Sequence, residues 1–338
     1  MMAIRVAING FGRIGRIVFK AIVERGEPLE VVAVNDIGAV EDLAHLLQYD
    51  SVHGTWPHTV KSDGDKLLVN GKSYQCLKVS DPSEAPWRDL GVEIVLETSG
   101  RFVDRPSCQK HLTSGAHKVI VGAPGKGMDA TFVMGVNEEQ YDPRNHHVVS
   151  NASCTTNCLA PVVRVLHDNF VVEHGLMTTI HSYTADQRLV DAIHKDKRRA
   201  RAAALSMVPT TTGAAAAVAE VIPELKGKLD GLAIRVPTPN VSLVDLVCRV
   251  GREVTKAQVN QALADAANGS LQGILNYVTE PLVSVDFNHT SYSSSLDAAL
   301  TTVIGGQLVK VLSWYDNEYG YSNRLIDLAL YMGKFLTH

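Results

Sequence analysis

Two groups of residues in this 338-residue chain have the types and spacing that chemistry needs. The first is Ser150-Asn151-Ala152-Ser153-Cys154-Thr155-Thr156-Asn157-Cys158, where a cysteine stands as small polar residues give way to an apolar helix that begins near Leu159. Ser153 or Thr155 can cap that helix and leave Cys154 at its positive end, where a thiolate is stabilised and becomes a nucleophile. Cys158, one turn on, points elsewhere or lies buried. A lone cysteine is as readily a small buried hydrophobe as a catalyst, so a base has to be found. His181, in Thr178-Thr179-Ile180-His181-Ser182-Tyr183, lies in a predicted strand that can bring its ring beside the helix. Thirteen histidines compete for the role, and spacing alone does not single this one out.

The second group is Gly10-Phe11-Gly12-Arg13-Ile14-Gly15, after an apolar run and before a helical pattern. In that context the first glycine permits a tight turn, the second lets a pyrophosphate approach the backbone, and the third lets helix pack on strand. Asp36 follows at the end of the second predicted strand, where a carboxylate accepts from ribose hydroxyls and repels the extra phosphate of NADP. NAD is the expected cofactor.

These residues need a scaffold, and the patterning supplies one. Short apolar runs over 4–8, 31–34, 92–96 and 118–121, the first two separated by an amphipathic helix ending near Gly26, predict a parallel sheet covered by helices. Beyond 168, longer β-branched runs over 175–183, 231–236, 241–250, 282–287 and 308–315 predict a larger antiparallel or mixed sheet. Helices are expected over 154–170, 213–222, 256–268 and 319–335. The fold class is thus α/β, with a doubly wound N-terminal domain and an α+β second domain, the boundary falling just before Cys154.

Composition narrows the functions available. Hydrophobic residues at 45% and charged residues at 20% describe an ordinary globular chain, and a net charge of −4 makes nucleic acid an unlikely main partner. The basic cluster Lys195, Lys197, Arg198, Arg199 and Arg201 lacks the interleaved aromatics of an RNA platform and reads as a solvated or subunit-facing loop that attracts anions. Five cysteines without a repeating spacing, and no signal segment, point to a reducing compartment, the cytoplasm. No apolar run approaches the length of a membrane span, and Cys154 and Cys158 have no second cysteine pair, nor is there an H-E-x-x-H, to support a metal site.

Four motifs in order, Asn9-Gly10-Phe11-Gly12-Arg13-Ile14-Gly15-Arg16, Ala152-Ser153-Cys154-Thr155-Thr156-Asn157-Cys158, Arg198-Arg199-Ala200-Arg201-Ala202-Ala203-Ala204 and Trp314-Tyr315-Asp316-Asn317-Glu318, closely resemble the phosphorylating glyceraldehyde-3-phosphate dehydrogenases from end to end. The resemblance implies that Cys154 attacks the aldehyde of glyceraldehyde 3-phosphate, that His181 takes the hydroxyl proton during hydride transfer to NAD, and that inorganic phosphate cleaves the thioester. It assigns the substrate phosphate to Thr184, Asp186 and Arg235, and the attacking phosphate to Ser153, Thr155, Thr212, Gly213 and Arg201. Asp186, an acid in an anion site, is expected to orient a neighbour instead of touching phosphate. For the cofactor it assigns Arg13 and Ile14 to the pyrophosphate turn, Asp36 to the adenosine ribose, Ser99 to the nicotinamide half, Asn317 to the carboxamide and Tyr321 to the nicotinamide pocket.

The resemblance further implies an NAD-binding domain over 1–153, a catalytic domain over 154–318, a final helix (319–338) returning to the first domain, and a homotetramer in which 183–205 faces a neighbour. Ala192-Ile193 stands between the pairs typical of strict NAD users and of chloroplast-type dual users, and Gly38 also resembles the latter, so NADP tolerance stays open. Erythrose-4-phosphate dehydrogenase and an NAD-binding thiol sensor are the alternatives. Ser182-Tyr183-Thr184 with Thr211-Thr212-Gly213 favours the triose enzyme over both.

Overall fold

The computed structural model describes residues 3–336; residues 1, 2, 337 and 338, the outer ends of the expected segments 1–153 and 319–338, lie outside the described residues. The chain forms two compact units. One holds the residues up to Phe132, Glu138–Ala152 and the chain from Ser322 onward; the other holds Val133–Asn137 and Ser153–Tyr321.

The first unit is built on a nine-stranded sheet in the order Ala130–Thr131, Val148–Ser150, Lys118–Val121, Ile94–Glu97, Ile4–Asn9, Leu29–Asn35, Lys72–Leu77, Lys66–Val69, Val60–Asp63. Pairing is parallel as far as Lys72–Leu77 and antiparallel through the last two strands. Ile94–Glu97 and Lys118–Val121 are buried at every position, as strands covered on both faces must be. The chain leaves Ile4–Asn9 to one side for Leu29–Asn35 and returns on the other for Ile94–Glu97, so the ends of these strands form the switch point where doubly wound sheets bind ligands. The helix Arg13–Arg25 ends at Gly26, whose left-handed backbone (φ 62°) lets its N–H reach the Ile22 carbonyl. The short strands Val60–Asp63 and Lys66–Val69 and the helices Val40–Gln48 and Arg105–Thr113 are additional to the expected elements; each is short, and Val40–Gln48 signals itself only through Leu43, Ala44 and Leu47.

The last helix, Tyr319–Gly333, stops two residues short of the expected end. In its portion from Ser322 onward, Arg25 donates to Asn323 (3.0 Å) and Asp327 (2.7 Å), and Gly333 lies so close to Ile4 that a Cβ would sit 2.0 Å from its Cδ1.

The second unit holds a sheet in the order Val208–Thr211, Leu229–Val236, Val172–Ser182, Ser242–Val250, Leu308–Tyr315, Ser294–Asp297, Leu275–Val278, with Thr302–Ile304 also on Leu308–Tyr315. It is mixed: Val172–Ser182 runs parallel to Leu229–Val236 and antiparallel to Ser242–Val250. The helix Cys154–Phe170 packs on Ser242–Val250 and Ser294–Asp297 and on the helices Ala214–Val221 and Lys256–Asn268. The strand expected over 282–287 is instead a 3₁₀ turn at Ser284–Phe287. There Asp286 accepts from the Val283 amide (2.8 Å) and Phe287 stacks on Trp314, a local side-chain bond outcompeting a ladder. No element occupies the stretch between Ser182 and Val208; it closes on itself through Ala203 N–H to Arg188 O and Ala192 N–H to Ala200 O. Among the described residues no helix is long and apolar enough to cross a membrane.

Arg13, at the start of the first helix, pairs with the almost fully buried Asp50 at 2.9 Å. Burial pushes the Asp50 carboxyl up, but the His53 and Val52 amides and the Arg13 guanidinium outweigh it and hold the group at about 2. The unfolded carboxyl binds its proton near 3.8, so this stabilisation is complete above that pH and is lost as pH falls towards 2. Asp50→Asn should therefore cost on the order of 2 kcal/mol at pH 7 and little at pH 2. Urea unfolding at both pH values checks this, and an equal loss at each would refute it.

Candidate active site

Cys154 is the first residue of its helix. Ser153 caps the helix, its Oγ accepting from the Thr156 amide at 3.0 Å, and Ala152 precedes it with φ of 55°, a strained conformation for alanine that turns the chain into the cap. The strand Val172–Ser182 runs alongside and ends by placing His181 Nε2 3.5 Å from Cys154 Sγ. The parallel register sets Arg235 opposite His181. Its Nη1 lies 2.9 Å from His181 Nδ1, 3.0 Å from the Ser182 carbonyl and 3.4 Å from Thr184 Oγ1. When Nδ1 instead donates to the Ser182 carbonyl (2.8 Å), the Nε2 lone pair faces the thiol, which is the tautomer a base requires.

Electrostatics couples this pair. Beside a neutral imidazole, burial pushes the Cys154 thiol up, while the Arg235 guanidinium and the helix N-terminus pull towards the thiolate. Beside a protonated thiol, burial and Arg235 hold the His181 imidazole down to about 3. Neither group gains a charge alone at low cost, and passing one proton across 3.5 Å charges both as a contact pair. Tyr315 is buried behind them, its hydroxyl 2.9 Å from both Thr155 Oγ1 and Thr179 Oγ1.

The candidate anion residues divide. Thr184 stands with Arg235 beside His181. Asp186 binds Arg199, whose Nε donates to Thr210 Oγ1 (3.0 Å) and whose Nη2 donates to the Thr211 carbonyl (3.3 Å). His194 Nε2 lies 3.5 Å from the other Asp186 oxygen. Asp186 thus orients a neighbour, and that neighbour is Arg199. Arg201 is not brought to this cluster: it pairs with Asp191 at 2.7 Å, and both side chains are mostly exposed. Thr155 turns its hydroxyl to Tyr315, and Thr212 Oγ1 accepts from the Ala214 amide at 3.2 Å, next to Gly213 at the start of Ala214–Val221. Asn317 Oδ1 accepts from Ser182 and Ser242 (2.9 Å each), which fixes its amide and leaves Nδ2 as the presented donor. Tyr321 is buried.

In the other unit, Asn9, Gly10, Gly12, Asn35, Asp36, Val79, Ser80, Ser99 and Arg101 line a cleft. Gly10 has φ of 91°, and a Cβ there would lie 2.4 Å from Ser99 Cα; one on Gly15 would lie 2.1 Å from the Gly10 carbonyl. A Cβ on Gly12 meets nothing within 4 Å, so that face is open to a pyrophosphate, with Arg13, Ile14 and Gly15 opening a helix that has no side-chain cap. Asp36 accepts from the Phe11 amide (2.7 Å) and the Gly38 amide (3.0 Å), which aims its carboxylate along the glycine turn. A turn that admits no side chain at Gly10 or Gly15, an uncapped helix N-terminus and a directed acid fit a dinucleotide. Among the described residues no group of three or more His, Cys, Asp or Glu is placed to hold a metal ion.

Of the five free cysteines only Cys154 is partly exposed; burial pushes Cys76 up to about 11, and Cys108, Cys158 and Cys248 up to about 12. Limiting iodoacetamide at pH 7.5 should therefore modify Cys154 almost exclusively, as peptide mapping would show. Comparable labelling of Cys158 would contradict this geometry.

Family models match both units: "Glyceraldehyde 3-phosphate dehydrogenase, NAD binding domain" over residues 4–105 and "Glyceraldehyde 3-phosphate dehydrogenase, C-terminal domain" over 153–317. The chain is 59% identical over 333 residues to the glyceraldehyde-3-phosphate dehydrogenase of Geobacillus stearothermophilus, covering 98% of this chain and 99% of that protein. Glyceraldehyde-3-phosphate dehydrogenase 1 of Bacillus subtilis (strain 168) is 58% identical with the same coverage. The chloroplastic glyceraldehyde-3-phosphate dehydrogenase A of Zea mays is 55% identical over 96% of this chain and 81% of its own length. With the dinucleotide cleft in one unit and the cysteine–histidine pair in the other, the chain belongs to the glyceraldehyde-3-phosphate dehydrogenase family of oxidoreductases, with NAD as cofactor.

Proposed function

We propose that the protein oxidises glyceraldehyde 3-phosphate to 1,3-bisphosphoglycerate through a thioester on Cys154, using NAD and inorganic phosphate. The observation that carries this reading is the 3.5 Å approach of Cys154 Sγ and His181 Nε2 beside Arg235. Sγ gives its proton to Nε2 and forms a bond to the aldehyde carbon; Nε2 returns that proton to the new alkoxide, giving a thiohemiacetal. His181 then takes the hydroxyl proton as the C–H electron pair leaves and the C=O bond re-forms. Bound NAD supplies the acceptor for that hydride. A phosphate oxygen next attacks the thioester carbon, the C–S bond breaks, and Sγ leaves as a thiolate ready for another turn. Retaining the acyl group on sulfur keeps the oxidation energy from being lost to water.

Arg235 with Thr184 suits the substrate phosphate, since a guanidinium presents forked donors and a hydroxyl completes the cradle. For the attacking phosphate we assign Arg199, with Ser153, Thr212 and Gly213, in place of Arg201. Arg199 is anchored by Asp186, Thr210 and Thr211, whereas Arg201 is spent on an exposed pair. Asn317 supplies the carboxamide partner and Asp36 the ribose acceptor. The closed stretch after Ser182 exposes Leu189, Val190, Ile193, Leu205 and Met207, apolar side chains that a monomer would leave in water, and this supports assembly into a homotetramer.

Purified protein given glyceraldehyde 3-phosphate and NAD should make NADH continuously only with inorganic phosphate, and Cys154→Ser should abolish it. NADP in the same assay should give a lower kcat/KM, because Asp36 opposes the added phosphate. Activity with erythrose 4-phosphate alone, or none with either aldehyde, would overturn the reading. Arg199→Ala should leave the first burst of NADH but raise the KM for phosphate about tenfold or more, while Arg201→Ala stays within about twofold. The reverse ranking would restore Arg201. Sedimentation should give four 36.6 kDa chains, and a monomer at micromolar concentration would contradict the tetramer.

A further inference from the structure

Glu97 is a buried acid that no step above uses. It ends the strand Ile94–Glu97, its side chain is 1% exposed, and two directed chains of hydrogen bonds arrive at it. One begins at Trp87, whose indole N–H only donates; it gives to His111 Nδ1 at 3.0 Å, so the His111 proton must sit on Nε2, which donates to Glu97 Oε2 at 3.1 Å. His111 is itself fully buried. The other begins at the backbone of Val79, whose N–H donates to Asn35 Oδ1 (2.8 Å) and whose carbonyl accepts from Asn35 Nδ2 (2.9 Å). That fixes Asn35 Nδ2 as the donor to Asn9 Oδ1 (2.7 Å), and hence Asn9 Nδ2 as the donor to Glu97 Oε2 (2.5 Å). Ser99 fills the other oxygen with both its amide (2.8 Å) and its hydroxyl (2.5 Å).

All four bonds point into the carboxylate. With Trp87 fixing the His111 proton and the Val79 backbone fixing the Asn35 and Asn9 amides, both chains end in donors, and Glu97 is the acceptor on which they meet. Three members line the NAD cleft: Asn9 precedes the glycine turn, Ser99 lies against the Gly10 backbone, and Asn35 clamps Val79. We propose that Glu97 is a positioning residue for NAD: it ties together the three strand ends that form the dinucleotide cleft, with His111 and Trp87 holding it in the required orientation.

Glu97→Gln keeps the shape but turns one acceptor into an NH₂ that must face donors, either Ser99 or the Asn9 and His111 pair. The strand ends then shift where NAD binds, whereas the chemistry of Cys154 is untouched. In the full-length protein, calorimetry should show the Kd for NAD raised about tenfold, and kinetics should show a matching rise in the KM for NAD. The kcat at saturating NAD and the KM for the aldehyde should stay within about twofold. Trp87→Phe keeps the ring and deletes the donor that fixes the His111 tautomer. It should weaken NAD about threefold, and it preserves the test if Glu97→Gln does not fold. A lower melting temperature with an unchanged Kd for NAD in either folded variant would make the network structural only and overturn the proposal. So would a loss confined to kcat.

Discussion

A partly exposed thiol and a buried imidazole 3.5 Å apart beside a guanidinium gain charge at least cost as a pair, and most of the second unit's arrangement follows from that constraint. Because the helix Cys154–Phe170 begins at the cysteine, its first amides face the sulfur and favour a thiolate; the Ser153 cap and the strained Ala152 fix that start. His181 must come from a strand, because only a rigid element held on both sides keeps a ring at fixed distance from a helix end. The parallel neighbour then brings Arg235 into register without any loop to position it. Tyr315, between Thr155 and Thr179, closes the floor with satisfied hydroxyls, which excludes water without leaving a polar atom unpaired at that point.

The nucleotide unit solves the opposite electrostatic problem. Its cleft must accept an anion at a helix N-terminus while a buried carboxylate lies at the end of an adjacent strand. Four donors on Glu97 disperse that charge within the protein, and Asp36 is likewise occupied by two backbone amides. Both acids are used as anchors for backbone turns, which explains why this glycine-rich corner keeps its form although several of its residues lack side chains to pack.

What could be read from the sequence was what is encoded locally. The helix starting at Cys154, the glycine turn, Asp36 and the strand of His181 each carry their signal within a few residues, as a cap, a spacing or an apolar period. Arg199 could not be separated from Arg201 in that way. Both lie in one basic run, and what distinguishes them is whether Asp186, Thr210 and Thr211 come near, a matter of tertiary structure. Glu97, Asn9, Trp87 and His111 carry no local signal for the same reason: the partners of Glu97 lie as far as 88 residues away, and each looks like an ordinary strand-end, turn or helix residue alone. The stretch 282–287 misled because an apolar run with β-branched residues reads as a strand whenever the side chain that caps a turn, here Asp286, is not given its weight.

The claim on which the rest depends is that Cys154 and His181 share one proton. It is tested most directly by the pH dependence of Cys154 alkylation, followed by the rate of iodoacetamide incorporation in the wild type and in His181→Asn. Without the imidazole the thiol must ionise with no group beside it to take its proton, so the midpoint should move up by about one pH unit or more. An unchanged midpoint in a folded variant would mean that the helix end and Arg235 alone set the thiolate, and that the pairing seen in the structure is not a chemical one.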